Sequence, residues 1–276
     1  MIKQFINEDY LDGYDIVIVG IGEIGAKVVE NMHQPFQHIA HSLILFSEWA
    51  DISSFSEEFK EYMDLCKQCD CVIAVVDCQD REAVKRANKY AQMSKQCYFL
   101  DSGGSNGNMG RPICRTICVT LSKYEPNKYE EFANDFDNIV FIDNINQLHL
   151  PLEMILVNPL KGIVGLDICD VLSIFENGRK AHLVESKGNT IEKAIDLFTN
   201  EVRILIKENN INKIDILFEF SVSADANFLH IDDIAGRIAN IIDTFDMSAK
   251  ICWTANLDEA LKDKLWISAI IAERLC

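Results

Sequence analysis

No apolar run in this 276-residue chain approaches the roughly 20 residues that a membrane-spanning helix requires, so insertion into a bilayer is not expected. The first residues, Met1-Ile2-Lys3-Gln4-Phe5, hold no apolar signal segment ahead of the first charges, and the sequence predicts a cytoplasmic protein. Basic side chains are few: 26 Lys and Arg stand against 43 Asp and Glu, a net charge of -17. Such a surface repels phosphate backbones and anionic lipid heads, which argues against nucleic acid or a membrane as the default partner. A completed metal-ligand set is also missing. Cys66 and Cys69 form a Cys-x-x-Cys pair beside Cys71 and Cys78, but no second pair and no His pair follows nearby to make four ligands.

The remaining cysteines, of ten in all, are scattered through apolar stretches such as Ile117-Cys118-Val119. Free cysteine behaves there as a small buried hydrophobe, and a reducing cytosol keeps it a thiol. Hydrophobic residues make up 49% and charged residues 25%, the balance of a globular chain with a sizeable core.

What is present is an alternation of strand-like and helix-like segments. Strands are predicted at 14–19, 41–46, 71–76, 97–100, 116–120 and 139–142. Helices fall between them, the first with Ile24, Val28, Val29 and Met32 on its inner face, others beginning at Ser56, at 81–94 and at 128–136. Strands and helices alternating at these lengths predict an α/β fold with a parallel sheet covered on both faces. The second half has another rhythm: a helix at 167–175, a short strand at 181–184 and a long amphipathic helix carrying Ile191, Ala194, Ile195, Phe198 and Val202. A strand at 216–222, a helix at 231–245 and hairpin-like strands at 250–254 and 265–272 complete it. The chain is thus expected to divide into a nucleotide-binding-like domain, 1–161, and a smaller α+β domain, 162–276.

One segment carries chemistry on its face. Gly20-Ile21-Gly22-Glu23-Ile24-Gly25 joins the first predicted strand to the first helix. Glycines so spaced let the backbone turn tightly and approach a phosphate, which the helix N-terminus then meets with N–H donors. The bland alternative is a tight turn that binds nothing. Glu48 follows about 20 positions on, where a dinucleotide fold places an acid on the ribose, so an NAD-binding Rossmann domain is a second reading.

The C-terminal half resembles the tubulin/FtsZ superfamily. A strand at 216–222 runs through Ser223-Ala224-Asp225-Ala226-Asn227 into a helix. After it, Ala249-Lys250-Ile251-Cys252-Trp253 and Asn256-Leu257-Asp258-Glu259-Ala260-Leu261-Lys262-Asp263 are similar to that family's A-N-I-I-F-G and D-E-x-L-x-D, ahead of a last strand. Upstream, Gly162-Ile163-Val164-Gly165-Leu166-Asp167-Ile168-Cys169-Asp170-Val171 looks like its synergy loop, and Phe141-Ile142-Asp143-Asn144 like the turn before its central helix. The resemblance implies a GTP/GDP site over Gly20, Ile21, Gly22, Glu23, Gly25 and Asn144. It also implies head-to-tail self-association, in which Asp167 and Asp170 reach a neighbouring subunit to orient the attacking water. Helix capping is their simpler role.

The departures matter as much. The family's G-G-G-T-G-[S/T]-G phosphate loop has no counterpart after 71–76, where Asp77-Cys78-Gln79-Asp80 stands; Gly103–Gly110 has glycines but no helix after it. Glu23 adds negative charge beside any phosphate. About 20 residues separate Asn144 from Gly165, too few for the family's long central helix at 1.5 Å per residue. The chain stops at Cys276, where FtsZ continues to a partner-binding peptide, so recruitment by that route is not expected. These features together predict weak or lost GTP hydrolysis, at most a weak GTPase.

Overall fold

The computed structural model describes residues 2–6, 15–31, 42–48, 71–101, 115–121, 135–156, 164, 166, 168–175, 178–223, 228–261 and 264–274. They form two compact units, Met1–His149 and Leu150–Cys276. The expected helix at Ser56, the Cys66/Cys69 pair, nearly all of the helix at 128–136 and the loop at 103–110 lie outside the described residues.

In the first unit, strands β1 (Ile2–Ile6), β2 (Asp15–Ile21), β3 (Ser42–Glu48), β4 (Cys71–Asp77), β5 (Arg115–Leu121) and β6 (Asn138–Ile142) lie in the order β1-β3-β2-β4-β5-β6. All neighbours run parallel except the antiparallel edge strand β1. β4 is apolar from Cys71 to Val76 and β6 from Ile139 to Ile142, as strands covered on both faces are. Val17, Val19, Val72, Ala74 and Val76 pack with Ala83, Val84, Ala87 and Tyr90 of α2 (Arg81–Asp101). The fold class is α/β, as the alternation predicts.

Two details correct the sequence reading. Residues 97–100 are not a strand; they continue α2. No Gly or Pro interrupts 81–101, so each added residue extends the helix at the small cost of propagation, and the β-preference of Cys-Tyr-Phe-Leu is overridden. The strand next to β4 is therefore β5. In α1 (Gly22–Asn31) the buried residues are Gly22, Gly25, Ala26 and Val29, while Ile24 and Val28 are only half-buried. Glycine turns the face toward the sheet, because only there does the helix backbone approach closely.

The second unit is a mixed sheet in the order β7-β10-β8-β9, of β7 (Gly178–Gly188), β8 (Ile214–Val222), β9 (Ile251–Leu257) and β10 (Leu265–Arg274). β10 is antiparallel to both β7 and β8, whereas β8 and β9 are parallel. The hairpin expected between the last two strands is absent. β9 and β10 share the sheet, but β8 lies between them, and the connection crosses its end with the Asp258 N–H donating to the Val222 carbonyl at 2.8 Å.

One face of this sheet is covered by α5 (Ile191–Asn209) and α6 (Phe228–Phe245), with Phe198, Val202, Phe218, Phe220, Ile234 and Ile238 at the centre. Thr190 caps α5 by accepting the Lys193 N–H, and Asn210 ends it in a left-handed conformation, φ 52°. Two short helices, α3 (His149–Leu156) and α4 (Ile168–Ser173), occupy the interval before β7. Among the described residues no helix is long and apolar enough to cross a membrane.

Candidate functional site

In an open parallel sheet, ligands bind outside the carboxyl ends of the strands where the strand order reverses. Here the chain goes from β2 outward to β3 and then back to β4 on β2's other side, so the reversal lies between β2 and β4. The two turns flanking that point are the glycine segment after β2 and Asp77–Arg81 after β4.

Gly20 and Ile21 end β2, and α1 starts at once with Gly22 at φ +73°, a left-handed conformation that favours glycine. Each of the three glycines is held by contact. A Cβ on Gly20 would overlap the Gly25 carbonyl oxygen, and one on Gly25 would overlap the Val75 carbonyl oxygen on β4. A Cβ on Gly22 would stand 3.0 Å from both Ala83 Cβ and Asp80 Oδ2. A valine at Gly22 therefore meets the β4–α2 turn and a strained backbone, whatever a ligand does. Glu23 is exposed, its carboxylate 2.5 Å from Lys27 Nζ one turn along. The hydrogen bond from Lys27, and then its charge, draws that carboxyl below the usual range. Its repulsion toward an incoming anion is offset accordingly.

The turn after β4 is tied by its own acids. Asp77 Oδ1 accepts the Gln79 N–H at 2.9 Å. Asp80 Oδ1 accepts the Glu82 and Ala83 N–H groups at 3.1 and 3.0 Å, which makes Asp80 the cap of α2. Two donors at the start of α2 are thus taken by a carboxylate of the chain. The sequence reading took Asp77-Cys78-Gln79-Asp80 only as the stretch standing where the family's phosphate loop would be. The capping role of its two acids is the missed feature, and the signal was an Asp immediately before a glycine- and proline-free helical stretch.

The other candidates are placed as follows. Asn144 lies at the carboxyl end of β6, three strands from β2, so about 14 Å across the sheet from Gly20. Its side chain is exposed and accepts the Asn146 N–H at 3.0 Å, shaping the turn before a 3₁₀ segment. Asp167 lies outside the described residues. Asp170 is exposed in the first turn of α4, in the second unit, where its carbonyl accepts the Ser173 hydroxyl at 2.6 Å. Glu48 ends β3 in register with Ile21 of β2. Among the described residues no group of three His, Cys, Asp or Glu is placed to hold a metal ion. Cys71, Cys78 and Cys118 are buried free thiols, and burial, then Cys78, pushes the Cys118 thiol well up.

No protein-family model matches the chain, and no curated protein matches its sequence. Solved structures do match it. A mutant FtsZ from M. jannaschii superposes with a TM-score of 0.63 at 13% identity over 96% of this chain and 92% of that one. TubZ from Bacillus thuringiensis serovar israelensis, in GDP-form protofilaments, gives 0.58 at 11% identity over 98% and 88%. CetZ1 from Haloferax volcanii, a GDP-bound monomer, gives 0.55 at 9% identity over 95% and 94%. Sheet order, crossover helices and near-complete coverage agree: the chain has the tubulin/FtsZ-type fold.

Proposed function

We propose that the protein is a divergent FtsZ/tubulin-like assembly or scaffolding protein of the cytoplasm that associates head-to-tail and has weak or lost GTP hydrolysis. The observation that carries the reading is the turn between β4 and α2, where the Asp80 carboxylate already takes the N–H groups of Glu82 and Ala83. Losing one preorganised donor typically costs a factor of about 100 to 1,000 in rate. Any GTP or GDP that binds sits over Gly20, Gly22 and Gly25, with Ile21 and Glu23 in the same turn and Asn144 toward the base. Asp167 and Asp170 remain the acids offered to a neighbouring subunit. Self-association draws support from similar structures that are an FtsZ dimer and a two-stranded TubZ filament. The first unit carries the turn for the nucleotide and residues 162–276 the acids for a neighbouring subunit, with cell division the process this architecture suggests.

The test joins sedimentation and electron microscopy to a phosphate-release assay, each with and without GTP. Concentration-dependent polymers with turnover far below about one per second are expected. A strictly monomeric protein at all concentrations, or turnover at or above that rate, overturns the reading.

The Rossmann alternative keeps one favourable observation, Glu48 in register with Ile21 beside the glycine turn. Calorimetry with NAD beside GTP and GDP separates the two. Binding of NAD alone would replace nucleotide-dependent assembly with a dinucleotide enzyme or sensor.

A further inference from the structure

β8, α6 and β9 form a parallel crossover, and β9 is the outer strand of the second unit's sheet. The Lys250 carbonyl accepts the Ile216 N–H at 2.9 Å, and the Asp258 N–H donates to the Val222 carbonyl at 2.8 Å. Backbone groups alternate in direction along a strand, so those of Cys252, Thr254 and Asn256 face β8 as well. Ile251, Trp253, Ala255 and Leu257 therefore turn their N–H and C=O groups outward. Among the described residues no backbone hydrogen bond reaches those groups.

Edge strands are ordinarily shielded from pairing by a charge, a proline or a bulge. Ile251–Leu257 has none of these, and its register with β8 is unbroken. The strand is nevertheless held firmly on both faces. On one, the Cys252 thiol, the Thr254 hydroxyl and the Lys250 ammonium reach the carbonyl oxygens of Asp170, Val164 and Ser173 at 3.5, 2.9 and 3.3 Å. On the other, Trp253 stacks with Phe218 and Phe220, ring centroids 6.3 and 5.8 Å away. Ile251 and Trp253 are only half-buried, and Leu257 is 48% exposed. An apolar margin thus runs beside a fixed, unshielded row of donors and acceptors.

The charge around this edge has one sign. α5 packs on β7 and β10 and α6 on β9, and Arg237 of α6 lies 3.7 Å from Glu192 of α5. The flank of α6 opposite Arg237, on the side of the open edge, carries the exposed Asp232 and Asp243. Asp170 is exposed on α4, and Glu259 is exposed just past the end of β9. Of the nearby cations, Arg274 is held 2.8 Å from Asp246 and Lys250 donates to Ser173, while Lys264 precedes β10, on the far side of β8. Two copies joined edge to edge would set these acids against one another, on chains of net charge -17.

We propose that the outer edge of β9 accepts an extended, lysine- or arginine-rich segment of a partner protein as an added strand of the second unit's sheet. The segment's backbone pairs with the outward groups of Ile251, Trp253, Ala255 and Leu257, which gives affinity without regard to its sequence. Its alternate apolar side chains cover Trp253 and Leu257, and its cations meet the surrounding carboxylates, which select a basic segment over an acidic one.

The test needs neither nucleotide nor assembly, so its result is independent of the proposed function. A short peptide alternating valine and lysine is added to the dilute full chain, and amide hydrogen exchange is followed residue by residue. With the peptide at about 100 times its Kd, exchange at Ile251, Trp253, Ala255 and Leu257 should slow by about 100-fold. The same peptide with every amide N-methylated keeps its charge but cannot pair, and a valine–glutamate peptide can pair but is repelled; neither should protect these amides. Leu257→Lys, at an exposed position, should weaken binding of the lysine peptide by about fivefold. Binding that leaves the four amides unprotected, or equal protection by the methylated or the glutamate peptide, overturns the proposal. So does protection that grows with protein concentration in the absence of peptide, which would mean that a second copy covers the edge. The peptide comparisons use the parent chain and stand even if the variant fails to fold.

Discussion

Gly25 shows how much a single missing side chain governs. Its Cα faces the Val75 carbonyl oxygen so closely that a methyl group has no room. Gly25→Ala is therefore expected to destabilise the first unit by about 2 to 4 kcal/mol, the cost of forcing helix and strand apart, read from the urea midpoint. Asp80→Ala removes the α2 cap and should cost about 1 kcal/mol, whereas Asp80→Ser should recover most of it. Asp246 makes a prediction about acid. Burial opposes its charge, but the Ser248 hydroxyl and N–H, the Ile214 N–H and the Arg274 guanidinium outweigh burial and bring the carboxyl down to about 2. A lowered carboxyl stabilises above its unfolded value of 3.8, and that stabilisation is lost as pH falls through about 2. Allowing for solvent screening it amounts to about 1 to 2 kcal/mol, and Asp246→Asn should remove this part of the acid sensitivity in pH-dependent unfolding.

At the scale of elements, legibility followed the physical signal. Strands β2, β4 and β6 were readable because strands covered on both faces are near-continuous apolar runs. Helix α5 was readable because its stripe of Ala194, Ile195, Phe198 and Val202 faces one core. The segment at 97–100 was misread because four residues of Cys, Tyr, Phe and Leu satisfy a strand pattern and a helix end equally; continuity of the preceding helix decides. The pairing of β10 between β7 and β8 was hidden for another reason. Strand order is set by long-range contacts, and Leu265–Arg274 looks the same from sequence whichever neighbours it takes. The glycine turn was legible as a tight joint from strand to helix, but not the capping that closes the turn beside it. Thr190 gives an element-scale prediction: Thr190→Ala should cost about 1 kcal/mol, with amide exchange accelerated in the first turn of α5.

For the whole molecule the dominant quantity is charge. Copies that each carry a net charge of -17 repel as they approach, and salt shortens that repulsion from a Debye length of about 30 Å at 0.01 M to about 8 Å at 0.15 M. Self-association should therefore strengthen as salt is raised over this range, visible as a larger weight-average sedimentation coefficient. Weakening with salt would instead point to complementary charged ends. Surface charge of this kind says nothing about fold, so sheet order had to come from the structure.

The interlock of Gly20, Gly25 and Val75 bears on how such a protein changes over generations. A loop retained only for a ligand is free to drift once the ligand is no longer needed, but this one also joins a helix to two strands. Gly20 and Gly25 are confined by neighbouring backbone atoms, whereas Glu23 points outward and is constrained by little more than Lys27. Under selection for folding alone, with no demand for activity, randomised libraries should return glycine at positions 20 and 25 and almost any residue at 23. A phosphate-loop signature can then outlive the phosphate, surviving as a joint between elements long after it has ceased to be a binding site.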